Sequence, residues 1–146
     1  MTSPKMPCVF CAIVAGKRKT HCIYENSLSM AILDINPLAE GHCLVIPKRH
    51  VQWWFQMTEA EIQSSFLAAK IVAEKIMKTY KPDFVAQYIR GRRIPHTHIF
   101  LVPTYKNDPV DRFFNALEGF QESPSALVRL KKSDSLRCAA RRLIKA

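Results

Sequence analysis

The stretch TEAEIQSSFLAAKIVAEKIMKTY, residues 58–80, constrains the fold more than any other part of this chain. Thr58 and Glu61 have the spacing of a capping box, in which each side chain satisfies a backbone N–H at the start of a helix. Ile62, Phe66, Ala69, Ala73, Ile76 and Met77 then recur at helical spacing, predicting one long amphipathic helix. Such a helix needs an apolar layer to cover its stripe, and the flanking segments supply strands. CIYENSLSMAILDINP places two apolar runs around a polar turn at residues 25–29, a hairpin closed at Pro37. GHCLVIPK is a third strand ended by Pro47. Phe84 to Ile89 is a fourth, IRGRR a tight turn, and His96 to Val102 a fifth. Strands and helices do not alternate regularly, so the expectation is α+β with an antiparallel sheet.

Shorter elements complete this reading. Cys8 to Ala15 is apolar and stops at Gly16, as a short helix with a glycine terminus does. Residues 103–133 read as mostly irregular, with a turn of helix around Asp111–Leu117. Ser133 or Asp134 is placed to cap a last helix ending near Ile144. The whole 146-residue chain is expected to be a single domain, with its core at about residues 8–103.

Bulk properties narrow the function classes. No run approaches the length of a membrane span, and the N-terminus lacks the apolar core and cleavage site of a signal peptide. A cytoplasmic location is expected, with a nuclear one as the alternative. There, the five cysteines are better suited to thiols or metal ligation than to disulfides. The net charge of +10 points to an anionic partner. From Leu127 onward, seven basic residues face only Asp134, so this tail is either a solvated basic face or a contact for nucleic acid.

Four motifs carry chemistry. In IPHTHIFLVP, His96, His98, Phe100 and Val102 share one face of a strand. Two histidines on an otherwise apolar face are costly to bury without partners, which favours adjacent chemical roles over idle core positions. Cys8 and Cys11 form a CxxC, readable as a redox pair, half a zinc site or plain buried thiols. The histidines 21, 42, 50, 96 and 98 could complete a tetrahedral metal set. Asp34 ends an apolar run, either capping a turn or accepting sugar hydroxyls. Arg90, Arg92 and Arg93 in RGRR suit phosphate or a solvated turn, and Gly91 allows close backbone approach.

Taken together, CVFCAIVAGK, YENSLSMAILDINPLAEGHCLVIPKRHV and PHTHIFLVP resemble the histidine triad (HIT) family, in particular its small bacterial-type and Hint-like members, over about residues 8–103. The resemblance implies a five-stranded antiparallel sheet with one long and one or two short helices, dimerising into a ten-stranded sheet. It implies a nucleotide-binding hydrolase or nucleotidyl transferase. A histidine attacks the α-phosphorus of a nucleoside phosphoramidate or dinucleoside polyphosphate, and water then releases the nucleotide. His98 matches that nucleophile and His42 the histidine beside it. Asp34 matches the ribose-binding carboxylate, and Val9, Phe10, Ile13 and Ile35 the slot for the base, which the resemblance implies is a purine. In members with a CxxC, structural zinc is held by residues matching Cys8, Cys11, His50 and His96.

Two departures stand out. The third triad position is Phe100, which cannot donate to a phosphate oxygen; one lost donor costs on the order of 10²–10³ in rate. The phosphate loop is shorter, with Arg92 and Arg93 where related proteins carry Gln and Ser. The alternative is therefore a catalytically impaired nucleotide- or nucleic-acid-binding homodimer.

Overall fold

The computed structural model describes residues 8–146, apart from the side chains at 124 and 126. The first seven residues, on which part of the signal-peptide reading rests, lie outside the described residues. The chain forms two compact units, one ending at Lys106 and the other Asn107–Ala146.

The first unit runs α1 (Val9–Val14), β1 (Cys22–Glu25), β2 (Ser29–Leu33), β3 (Cys43–Pro47), a 3₁₀ turn (Trp54–Gln56), α2 (Glu59–Tyr80), β4 (Phe84–Arg90) and β5 (His98–Thr104). The strands form one antiparallel sheet in the order β1-β2-β3-β5-β4. The capping box at Thr58 and Glu61 is present, and Arg49 grips the Glu61 carboxylate with bonds of 2.6 and 2.7 Å.

The pleat gives the sheet two chemically different faces. Ala31, Cys43, Val45, Ile99 and Leu101 point to α2 and meet its Ala68, Ala69, Val72 and Ile76. The stripe on α2 is rotated from the expected one. Of the six residues predicted to face the core, Ala69 and Ile76 are buried, whereas Phe66 and Met77 are exposed. Small residues let the helix lie close to the sheet, so bulk at Phe66 and Met77 is turned outward. The opposite face carries Met30, Ile32, Leu44 and Ile46, over which α1 lays Phe10. A six-residue helix is far too short to stand alone, so α1 persists through this packing.

The second unit corrects the expectation of irregular chain. Residues Pro109–Glu122 form α3, followed by α4 (Pro124–Leu127) and α5 (Ser133–Ile144). Asp108 caps α3 by accepting from the N–H groups of Val110 and Asp111, with Pro109 in the first turn. Val110, Phe113, Phe114, Leu117 and Phe120 then follow helical spacing. Neither Ser133 nor Asp134 caps α5. Asp134 sits in its first turn and pairs with Arg137 at 2.5 Å.

Candidate functional site

Register places the site on the α1 face. In antiparallel pairs, opposed residues share a face, so Leu44–Phe100, Tyr88–Phe100 and Arg90–His98 all point the same way. His42, two residues before Leu44, joins them. These side chains floor a cavity of about 630 Å³, within the size range of small-molecule sites. Its walls come from Val9, Phe10 and Ile13 of α1, Arg18 to Thr20, Leu33 at the end of β2, and Asp34, Ile35, Asn36 and Leu38 after it.

His98 is buried, with Phe10 at 5.2 Å and Phe100 at 4.8 Å between ring centroids. Its Nδ1 lies 2.7 Å from the His96 carbonyl, so Nδ1–H donates and Nε2 keeps a lone pair. Burial pushes its pKa below the ordinary imidazole value, outweighing that bond and the Asp34 charge, which act the other way. A neutral, oriented imidazole results.

His42 is also buried and neutral for the same reason, against the pull of Asp34. Its Nδ1 accepts from the Leu38 N–H at 3.1 Å, which puts the proton on Nε2. That Nε2 has no hydrogen-bond partner and stands 3.6 Å from Asp34 Oδ2. A buried donor left unpaired is costly, so this N–H is held ready for an acceptor in the cavity. Asp34 Oδ1 caps the turn at the Asn36 N–H (2.8 Å), which leaves Oδ2 for other donors.

His96 lies two residues before β5, not within the strand as its spacing suggested. The 91–97 segment bends, and the Thr97 N–H bonds to the Val51 carbonyl at 2.7 Å. The His96 ring therefore turns to the β3 end. Nε2 donates to the Pro47 carbonyl at 2.9 Å, and Nδ1 faces Cys8 Sγ at 3.3 Å and Cys11 Sγ at 3.6 Å. His50 Nδ1 is 3.2 Å from Cys11 Sγ, and the four donor atoms lie within 4.8 Å of one another. Zinc–donor bonds of about 2.0–2.3 Å require tetrahedral donors to be about 3.3–3.8 Å apart, so the set fits zinc after small adjustments. The carbonyl behind His96 fixes the tautomer that ligation needs. The chemistry agrees: burial, then the neighbouring Cys8, push the Cys11 thiol up to about 11. A divalent cation is what would ionise such a pair.

The basic turn is divided. Arg93 lines the cavity, Arg92 is exposed outside it, and Arg90 lines it from the end of β4. Ile35 forms an 80% exposed part of the rim. Three contributors escaped the sequence reading. Tyr88 stacks on Phe100 at 4.3 Å and 14°, and Arg18 with Lys19 lines the far wall. Tyr88 was detectable only through strand pairing. Arg18 and Lys19 lie outside the motifs that carry chemistry.

Comparison with known proteins is consistent with this architecture. Residues 15–107 match the HIT domain family. An uncharacterized HIT-like protein of Mycoplasma genitalium is 38% identical over 104 residues, covering 68% of this chain and 74% of that protein. The adenylylsulfatase HINT3 of Arabidopsis thaliana is 30% identical over 106 residues, 69% of this chain and 54% of its own length. A crystal structure of a HIT-family member from Bacillus subtilis superimposes with a TM-score of 0.78 at 25% identity, covering 96% of each chain. A zinc-bound histidine triad protein from Mycobacterium smegmatis does so with a TM-score of 0.65 at 29% identity, covering 73% of this chain and 81% of that one. No helix among the described residues is long and apolar enough to cross a membrane.

Proposed function

This chain belongs to the histidine triad (HIT) family, and on that footing we propose that it is a nucleotide hydrolase or nucleotidyl transferase with His98 as its nucleophile. The observation that carries the reading is the state of that ring: buried, neutral, and held by the His96 carbonyl with Nε2 free. The Nε2 lone pair attacks the α-phosphorus of a nucleoside phosphoramidate or dinucleoside polyphosphate. The leaving group departs with the electrons of its bond to phosphorus. Water then cleaves the nucleotidyl-imidazole and releases the nucleoside monophosphate. That the related HINT3 is an adenylylsulfatase supports hydrolysis at a nucleotide phosphorus as chemistry open to this fold.

The remaining roles follow from the atoms left unsatisfied. His42 Nε2–H donates to a phosphate oxygen. Asp34 Oδ2 accepts a ribose hydroxyl, and Val9, Phe10, Ile13 and Ile35 enclose the base. Arg90 and Arg93 supply positive charge near Phe100, with Arg92 outside the cavity as an approach contact. Cys8, Cys11, His50 and His96 would hold a structural zinc, which clamps α1 to the loop before α2 and to the turn before β5. The zinc-bound relative supports that assignment. The seven-residue edge strand β4 offers its open backbone for pairing with a second copy, giving the homodimeric ten-stranded sheet.

One observation favours a second reading. Phe100 removes a donor from the phosphate side, so the protein would bind nucleotides without turning them over. Incubation with adenosine phosphoramidate separates the two. The enzyme reading expects wild-type release of adenosine monophosphate and loss of turnover in His98→Ala. No wild-type turnover with nucleotide binding retained establishes the second.

A further inference from the structure

We propose that residues 52–55 and the arginine turn 90–93 form a binding ledge for single-stranded nucleic acid at the rim of the His98 cavity. Trp54 and Phe55 are 47% and 67% exposed, an expensive way to spend two large aromatic rings in a short loop. Half-buried Trp53 lies parallel to Phe55, at 3° and 6.2 Å, and Trp54 stands edge-on to Phe55 at 77°, so the loop turns flat ring faces to solvent in two directions.

This loop is docked against the turn that carries the arginines. A Cβ on Gly91 would lie 2.3 Å from the Gln52 carbonyl oxygen and 3.6 Å from Trp53 Cε3, so only glycine permits the approach. Gln52 Nε2 also donates to the Gly91 carbonyl at 3.4 Å. Position 91 therefore locks the aromatic loop to Arg90, Arg92 and Arg93. Among the described residues no ion pair engages these three arginines. Neither 50–57 nor 87–94 contains an acidic residue. Lys48 and Arg49, just before the loop, are already paired with Glu25 and Glu61.

Flat aromatic faces beside unpaired guanidinium groups are what a single strand requires, because bases stack without regard to sequence while arginines follow the phosphates. A folded acidic partner would use the charge but leave the stacked rings without matching planes. Arg90 and Arg93 line the cavity, whereas Arg92 lies outside it, so the cations lead from the ledge inward. The direction of the strand, with its terminal nucleotide at His98, rests on the nucleotide reading of the cavity; the ledge itself does not.

The test is fluorescence anisotropy of the full-length protein with labelled oligothymidine of about 12 nucleotides, the upper range of a small single-strand site. Binding is expected at about 50 mM salt, weakening with a log–log slope of about −2, the value for three phosphate contacts on a single strand. Joint replacement Trp54→Ala, Phe55→Ala should weaken binding about tenfold or more, the loss expected for a base stack. Its affinity for adenosine monophosphate should stay within about twofold, as those rings lie outside the cavity. Arg92→Gln, which leaves the aromatic loop intact, should weaken it about threefold or more and serves if the aromatic variant melts early. Unchanged oligonucleotide affinity in these variants would overturn the ledge, as would equal competition by poly-glutamate. Loss of binding in Arg141→Gln, Arg142→Gln alone would overturn it in favour of the basic C-terminal helix. Failure to bind adenosine monophosphate, with oligonucleotide binding intact, would count against the cavity reading and leave the ledge standing.

Discussion

Replacing Phe100 by histidine tests whether the missing donor limits the chemistry. The phenyl ring sits 4.8 Å from the His98 ring and 5.8 Å from that of His42, stacked on Tyr88 at 4.3 Å. An imidazole at this position would fit the same slot and keep the stack. Phe100 is half-buried, so exchanging phenyl for the smaller polar ring should cost about 1–1.5 kcal/mol of stability. Against this, one added N–H directed at a phosphate oxygen is worth about 10²–10³ in kcat. The Phe100→His variant should therefore melt a few degrees lower and turn over adenosine phosphoramidate at least about thirtyfold faster at saturation, a conservative share of that range. Its KM should change little, because the gain falls in the transition state. The assay is kcat and KM for both proteins beside a thermal melt, with the double variant His98→Ala, Phe100→His expected to be inactive. A folded Phe100→His whose kcat is no higher than wild type, at unchanged KM, would refute the reasoning. It would mean that Arg90, Arg93 or His42 already supplies the donor.

The cluster of Cys8, Cys11, His50 and His96 should carry about one zinc per chain, measured by elemental analysis after gentle purification. Chelation should lower the melting temperature and weaken nucleotide binding, because Phe10 and Ile13 sit on the short helix that the cluster clamps; less than about half an equivalent would exclude the assignment. Asp34→Asn should raise KM about tenfold for ribonucleotides and leave the 2′,3′-dideoxy analogue nearly unaffected, as read from steady-state kinetics. The Glu61 carboxyl is held down to about 2, chiefly by Arg49, from an ordinary value of 4.5. Since its folded pKa is depressed, the stability it adds is full above pH 4.5 and is lost as the pH falls towards 2. Denaturant unfolding of Glu61→Gln should show a loss of about 1–2 kcal/mol at neutral pH, kept modest because Arg49 is half-exposed, and a vanishing difference near pH 2.

The features legible in sequence were those set by local chemistry at fixed spacing. Thr58 and Glu61 announced the long helix, whereas CxxC alone left several uses open, and only the family resemblance singled out Cys8, Cys11, His50 and His96, which the fold brings together. What stayed hidden depends on partners distant along the chain. The face of α2 that meets the sheet is chosen by small residues at 65, 68, 69 and 72, against the pull of Phe66 and Met77 as hydrophobic markers. Helix α3 was masked by the polar residues interleaved with its apolar ones, although Asp108-Pro109 was a readable start. Tyr88 and Arg90 enter the site only through their register with Phe100 and His98. His96 left the strand because residues 91–97 bend to meet Val51, a contact no periodicity encodes.

The central claim is that His98 becomes covalently nucleotidylated during turnover. The direct measurement is mass spectrometry of the protein mixed with adenosine phosphoramidate and quenched within its first turnovers at alkaline pH, where a nucleotidyl-imidazole survives. The expected result is a mass increase of one adenylyl group, mapped to the peptide that contains His98 and absent from His98→Ala. Turnover that proceeds without this adduct, and persists undiminished in His98→Ala, would contradict it.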